Sequence, residues 1–350
     1  MGAINLGVHA FKGTTGNPMT DDVTPPSRRY SGSFVVGDRV RLTGPKAKMH
    51  TLTLKHGAEF HSHRGFVKHD DIIGAEDGSV ILSSSGEQYL ALRPLLSDFV
   101  MSMPRGAAIV YPKDAAQILA LADIYPGATV LEAGVGSGAL SMWLLRAIGP
   151  AGQLISIERR EEFAEIALDN VASFYGATPP NWQVTVGSFE DEATTAFGPG
   201  AVDRVVLDML APWECVDACG DVLKPGGVVI CYVATVTQLS RTVEAFRASG
   251  QFTQPESSET MVRGWHVEGL AVRPDHRMVA HTGFLTVARR LAPDTVLPEL
   301  KRRASKSDFD ESDVLAWTPD AVGIHEKSGK ALKKNLKRAN TMREETGAQC

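Results

Sequence analysis

Cysteine is scarce in this chain, and the four present (Cys215, Cys219, Cys231 and Cys350) form no C-x-x-C pair and no Cys/His spacing suited to zinc. A structural metal site and a disulfide framework are therefore both excluded as expectations. Long apolar runs are missing as well. The longest strongly apolar stretch, residues 227–236, falls well short of the roughly 20 residues of a membrane-crossing helix. The N-terminus lacks a basic segment followed by an apolar core, so no secretory signal is read there and a cytoplasmic location is the expectation. Positive charge is not in excess: 36 Lys and Arg against 41 Asp and Glu leave a formal net charge of −5. Any nucleic-acid contact must then come from local basic patches. No repeat, collagen or coiled-coil period is visible. What remains is 350 residues with 43% hydrophobic content, enough for one large domain and a smaller one.

Residues 1–32, rich in Gly, Thr, Asp and Pro, read as a flexible lead. Short strand-like runs follow at 39–42, 51–54, 80–82 and 89–92, separated by turn residues, and predict a small antiparallel β-domain over residues 33–96. Within it, residues 59–71 concentrate histidine and basic side chains, among them His61, His63, Arg64 and Lys68. The H-x-H spacing would put two imidazoles on one face of a strand, but no third ligand accompanies them, so no metal is expected. A solvated loop or an RNA-contacting patch explains the same residues, with phosphate or sugar as the partner. Residues 97–292 alternate helical and strand signals, as a doubly wound α/β domain does. Residues 293–350 lose periodicity and read as a disordered, charged tail with a basic run at 330–338.

The segment Thr129-Val130-Leu131-Glu132-Ala133-Gly134-Val135-Gly136-Ser137-Gly138 carries the most information. An apolar run ends in three glycines at alternate positions, which let the backbone turn tightly against a ligand, and a helix starts near Ala139. Residues 153–157 form a second apolar run that delivers Glu158 where an acid can grip the hydroxyls of a ribose. Dinucleotide folds favour G-x-G-x-x-G; here the spacing is G-x-G-x-G with Glu132 two residues before the first glycine. The pattern resembles the first motif of class I S-adenosylmethionine-dependent methyltransferases. That resemblance implies a cofactor site over Leu131, Glu132, Ala133, Gly134, Gly136, Ser137 and Gly138, with Glu132 near the cofactor's amino-acid end and Glu158 on its ribose.

A second strand, residues 201–207, delivers Asp208 at its carboxyl end, followed by Met209-Leu210-Ala211-Pro212-Trp213. Ligands of parallel sheets sit at that edge; a structural aspartate capping the next helix is the plainer reading. With the strings Arg64-Gly65, Met103-Pro104-Arg105-Gly106, Tyr111-Pro112-Lys113-Asp114-Ala115, residues 130–134, residues 207–214 and residues 232–238 taken in order, the chain resembles the bacterial and archaeal tRNA (adenine-58-N1)-methyltransferases across residues 34–292. The resemblance implies a Rossmann-like class I methyltransferase domain, S-adenosyl-L-methionine as cofactor, tRNA as substrate and a homotetrameric assembly. It makes Asp208 the catalytic residue and a cofactor neighbour. Tyr111, Trp213, Tyr232, Thr235 and Gln238 then frame the base, and His61, His63, Arg64 and Arg105 contact the RNA. After the third strand, Ser188 stands where relatives often place an acid beside the cofactor's adenine, so that contact falls to Ser188 or to a shifted Glu190 or Asp191.

Three competing classes have distinguishing marks. A protein isoaspartyl methyltransferase would share the cofactor domain but needs neither the D-x-x-x-P-W loop nor a basic N-terminal β-domain. An NAD-dependent oxidoreductase would want the missing third glycine position and a hydride-transfer constellation. A silent RNA-binding subunit would have lost its cofactor loop, which is intact here.

Overall fold

The computed structural model describes residues 31–105 and 107–298. Most of the expected N-terminal lead, Gly106 and the tail from residue 299, with its basic run and Cys350, lie outside the described residues.

The N-terminal region is built from β1 (Arg39–Thr43), β2 (Met49–Thr53), β3 (Glu59–Ser62), β4 (Gly65–Lys68), β5 (Val80–Leu82) and β6 (Gln88–Leu92). Four of them form an antiparallel sheet in the order β2-β1-β6-β5, and β3 and β4 pair as a separate hairpin. Strand alternation explains the packing. Val40 and Leu42 point inward and are fully buried with Leu54, Ile72 and Ala91, while Arg39 and Arg41 point the other way. Those two arginines fasten the sheet to the next element, α1 (Leu96–Ser102): Arg41 pairs with Asp98 at 2.6 Å, and the Arg39 guanidinium lies 4.5 Å from the centre of the Phe99 ring. The segment 59–71, read as a loop or patch, proves to hold the β3–β4 hairpin.

The larger region continues with α2 (Pro112–Leu121), β7 (Thr129–Ala133), α3 (Ala139–Ile148), β8 (Gln153–Glu158), α4 (Glu161–Tyr175), β9 (Trp182–Val186), α5 (Phe189–Ala196), β10 (Val202–Asp208), α6 (Val216–Val222), β11 (Leu223–Val233) and α7 (Val236–Ser249). Four further strands close it: β12 (Glu256–Glu259), β13 (Trp265–Glu268), β14 (Ala271–Pro274) and β15 (Phe284–Arg289). Seven strands form one sheet in the order β12-β15-β11-β10-β7-β8-β9. Pairings among β7 to β11 are parallel, and β15 runs antiparallel to both of its neighbours. Helices cover both faces around two apolar cores. Along β7 the side chains divide between them: Val130 joins the core with α3 and α4, Leu131 and Ala133 the core with α5 and α6.

The chain reverses its direction of travel across the sheet between β7 and β10, so their carboxyl ends diverge into helices on opposite faces and leave a crevice at that edge. β11 starts four residues before the expected Gly227. Register jumps from the Val202 and Leu223 pair to the Arg204 and Val228 pair, so residues 224–227 are a bulge within the strand. No strand beyond residue 233 was anticipated: β12, with all four residues exposed, and the exposed β13–β14 hairpin carry no inward-facing apolar alternation, whereas β15 is apolar and buries Leu285, Thr286 and Ala288.

Candidate active site

The crevice is a cavity of about 640 Å³ at the carboxyl ends of β7, β8, β10 and β11. Its near wall is the glycine loop. Gly134 adopts φ +84°, and a methyl group on its Cα would sit 1.7 Å from the Asp208 carbonyl oxygen. Only glycine lets β7 and β10 approach so closely at the point where the sheet opens. Gly136 faces the cavity, and its N–H donates to Glu158 Oε2 at 3.0 Å. Glu158 Oε1 accepts the Arg160 N–H at 3.2 Å. The carboxylate at the end of β8 is thereby fixed on the cavity wall with acceptor capacity to spare, the arrangement needed for two vicinal hydroxyls. It also occupies the loop N–H that a pyrophosphate would use and would repel that anion. A dinucleotide fits this loop poorly.

Ala107, Ala108, Ile109, Phe189 and Met209 supply the apolar part of the lining. A flat nucleobase beside a hydroxyl-bearing sugar matches these walls, and no cluster of at least three metal-ligating side chains is found among the described residues. Glu132 is not part of the lining. It shares the face of β7 with Val130 and is fully buried under α3, accepting the Ser141 hydroxyl at 2.7 Å and the Ser156 hydroxyl at 2.6 Å. Burial pushes its carboxyl up to about 7, and its Oε1 has no partner among the described residues. The structure thus places this side chain beneath the loop rather than in the cavity lining.

The far side of the cavity holds the polar groups for a second ligand. Asp208 lines it with no side-chain hydrogen bond among the described residues. Burial first, then the neighbouring Glu132 and Glu158 carboxylates, push its carboxyl up to about 7. Tyr111, Tyr232 and Gln238 line the cavity beside it. Tyr232 sits opposite Asp208 in the β10–β11 register. Gln238 joins the N-terminus of α7 to the Asp208 loop: its Oε1 accepts from the Thr235 N–H, and its Nε2 donates to the Leu210 carbonyl at 2.9 Å. Leu210 projects at the rim, 82% exposed.

Several expected residues lie elsewhere. Leu131 is in the core on the α5–α6 face. Ser137 and Gly138 start α3 beneath the loop, and a Cβ at Gly138 would press on Val171 and Ala167. Ser188 caps α5, accepting the Asp191 N–H and donating to the Asp191 carboxylate, so its hydroxyl is spent locally. Trp213 lies in the turn after Pro212 with the Arg241 guanidinium 4.2 Å from its ring centre, and does not reach the cavity. Thr235 caps α7. Arg105 donates to the Val100 and Met101 carbonyls at the end of α1. On the hairpin, Arg64 is paired with Glu87 at 2.7 Å, His63 accepts from Arg64, and His61 lies 3.1 Å from Glu59. These charges are partly neutralised in place. Conversely, Arg159, Arg160, Leu210, Ala234 and Thr282 line the cavity and were not anticipated. The arginines follow Glu158 directly and were within reach of the motif, whereas nothing near Thr282 in sequence marks it.

Comparison with known proteins agrees with this geometry. Residues 32–81 match the family described as TrmI-like N-terminal, and residues 90–273 match that of the tRNA methyltransferase complex GCD14 subunit. A tRNA (adenine(58)-N(1))-methyltransferase TrmI of Thermus thermophilus is 34% identical over 75% of this chain and 98% of its own length. The chain belongs to the TrmI family of tRNA methyltransferases. A second family member, the tRNA (adenine(57)-N(1)/adenine(58)-N(1))-methyltransferase of Methanocaldococcus jannaschii, is 32% identical over 68% of this chain and 90% of its own. Among solved structures, the tRNA (m1A58) methyltransferase TrmI of Aquifex aeolicus superposes with a TM-score of 0.65 at 27% identity, covering 75% of this chain and all of that one. A SAM-dependent O-methyltransferase of Thermotoga maritima gives 0.70 at 30% identity, covering 75% and 97%. Membership in the family includes the N-terminal β-sheet, which a bare class I methyltransferase domain does not need. No helix among the described residues is long and apolar enough to cross a membrane.

Proposed function

We propose that this chain transfers a methyl group from S-adenosyl-L-methionine to N1 of adenine 58 in the T-loop of tRNA, giving 1-methyladenosine. The observation that carries this reading is the presence in one cavity of the Glu158 carboxylate, at the end of β8, and a second carboxylate, Asp208, at the end of β10 with no side-chain hydrogen bond among the described residues. The cofactor, when bound, supplies an electrophilic methyl group on a cationic sulfur. Glu158 holds the ribose hydroxyls, Gly134 and Gly136 let the loop backbone lie against the ligand, and the apolar lining takes the nucleobase. Asp208 accepts a hydrogen bond from the exocyclic amino group of the target adenine. That orients N1, raises its electron density and stabilises the positive charge the ring acquires.

The target base has to leave its stack, at a cost of roughly a few kcal/mol. Tyr111 and Tyr232 offer flat walls to offset that cost, and Gln238 holds the Asp208 loop in position. The N-terminal sheet with its hairpin, and Lys68 exposed on it, faces RNA backbone in this reading. A homotetramer brings basic patches from several acidic subunits together. The exposed apolar side chains Trp265, Val267, Leu270 and Val272 of the β13–β14 hairpin suit a contact with a second copy of the chain.

Two results are expected from binding measurements. Glu158→Ala should weaken S-adenosyl-L-methionine binding by at least about tenfold, 1.4 kcal/mol, in isothermal titration; an unaltered affinity would place the ribose elsewhere. The affinity for tRNA should fall linearly in log–log form as salt rises, because phosphate contacts release counterions. A flat response would remove the hairpin patch from the RNA interface. The function itself is tested in cells: tRNA from a strain deleted for this gene should lack 1-methyladenosine at position 58. The unaltered gene should restore it and the Asp208→Ala gene should not. Retention of the modification in the deletion strain would refute the assignment.

A further inference from the structure

The string Tyr111-Pro112-Lys113-Asp114 has one member at the cavity, Tyr111, and two that are buried behind it. Asp114 is in the first turn of α2, where a carboxylate is favoured by the helix dipole. Its side chain does not cap the helix: Tyr111, the N-cap residue, has no side-chain cap hydrogen bond. Instead Asp114 Oδ2 accepts the Thr282 hydroxyl at 2.5 Å, across 168 positions of sequence. Asp114 Oδ1 accepts Lys113 Nζ at 2.7 Å, and the same ammonium donates to the Thr260 carbonyl at 2.6 Å. The ion pair is almost wholly shielded, with side-chain exposures of 6% for Lys113 and 1% for Asp114. Removing two charges from water is expensive, and such a pair is a poor source of stability. Its use is better sought in what it holds still.

What it holds is the wall carrying Tyr232. The Thr282 carbonyl accepts the Tyr232 phenol at 2.8 Å. Gly283, the next residue, is bare of a side chain where the ring passes: a methyl group there would lie 2.3 Å from Tyr232 Cζ. Thr282, Tyr111 and Tyr232 all line the cavity on the side of Asp208. The series therefore runs from a phenol on the wall, through Thr282, to a buried carboxylate, and from the adjoining ammonium to Thr260 near the end of β12. It clamps α2 to the two ends of the segment between β12 and β15.

We propose that Asp114, acting through Thr282, is a positioning residue for the methyl acceptor: it fixes the Tyr232 ring against which the target base is seated beside Asp208. This rests on the functional reading above. The clamp lies on the acceptor side of the cavity, away from Glu158 and the glycine loop, so its loss acts on methyl transfer and spares cofactor binding.

The test compares the full chain with Thr282→Val, Thr282→Ser and Asp114→Asn, measuring kcat and KM on unmodified tRNA, cofactor affinity and thermal midpoint. Thr282→Val and Asp114→Asn should lower kcat by about 10- to 100-fold, the effect of a reacting group misplaced by roughly an ångström, with cofactor affinity unchanged. Thr282→Ser, which keeps the hydroxyl, should restore kcat. Full turnover by Thr282→Val would overturn the proposal. So would a parallel fall in kcat, cofactor affinity and thermal midpoint that serine does not rescue, because that pattern belongs to a structural prop. Failure of the unaltered enzyme to methylate tRNA would instead remove the functional reading itself.

Discussion

Asp208→Ala should reduce methyl transfer to tRNA by about 10²- to 10³-fold, roughly 3–4 kcal/mol of transition-state stabilisation, the usual cost of deleting a preorganised group aimed at developing charge. Cofactor affinity should stay close to that of the unaltered enzyme, since the proposed ribose ligand, Glu158, ends β8, with β7 between it and Asp208. The pH profile gives a second reading of the same group. Burial and the Glu132 and Glu158 carboxylates raise the Asp208 carboxyl to about 7. Below that pH the group is protonated and has lost the charge that polarises the adenine, so kcat should climb with pH and level off above about 7. The acid limb should vanish in Asp208→Asn, whose amide does not titrate. A turnover unchanged by Asp208→Ala, or an acid limb that persists in Asp208→Asn, would take this residue out of the mechanism.

Gly134→Ala should be among the most damaging single changes in the chain. The added methyl group would stand 1.7 Å from the Asp208 carbonyl oxygen, and the residue would be held at φ +84°, a region that costs a side-chain-bearing residue about 1–2 kcal/mol on its own. Neither partner can give way cheaply: Gly134 directly follows β7 and its N–H donates to the Ile157 carbonyl, while Asp208 ends β10 and pairs with Tyr232 of β11. We expect a loss of about 3 kcal/mol or more, near 6–12 °C in thermal midpoint for a domain of this size, together with loss of cofactor binding. Gly136→Ala is the internal control. Its φ is also positive, at +55°, but the nearest atom to a new methyl is Ala107 Cβ at an ordinary 3.6 Å, so its cost should stay near 1 kcal/mol. Equal effects of the two substitutions in differential scanning calorimetry would mean that backbone conformation, not the approach of β10 to β7, governs this loop.

The half of the site proposed to bind the cofactor was readable because its parts are contiguous. A strand, a glycine turn, a helix and a following strand with a terminal acid announce themselves within thirty residues, and Gly134, Gly136 and Glu158 all reach the cavity. The burial of Glu132 was not apparent from its place in the motif, although strand alternation puts it on the face of Val130, under α3, rather than at the edge. The place of Trp213 was not legible, because an aromatic residue after such a loop reads the same whether it faces the ligand or Arg241. The acceptor side was the least legible. Thr282 acquires meaning only through Asp114 and Tyr232, partners 168 and 50 positions away. In the N-terminal sheet the inward Val40 and Leu42 were plain. The pairing of Arg64, in the β3–β4 turn, with Glu87, in the β5–β6 turn 23 positions on, was not.

Methyl transfer from labelled S-adenosyl-L-methionine to unmodified tRNA, followed by nucleoside analysis, tests the central claim most directly when tRNA carrying adenine 58 is set beside a transcript with that adenine replaced. The account predicts label recovered as 1-methyladenosine from the first and none from the second. Label in another nucleoside, equal labelling of both transcripts, or tight cofactor binding with no tRNA product would contradict it.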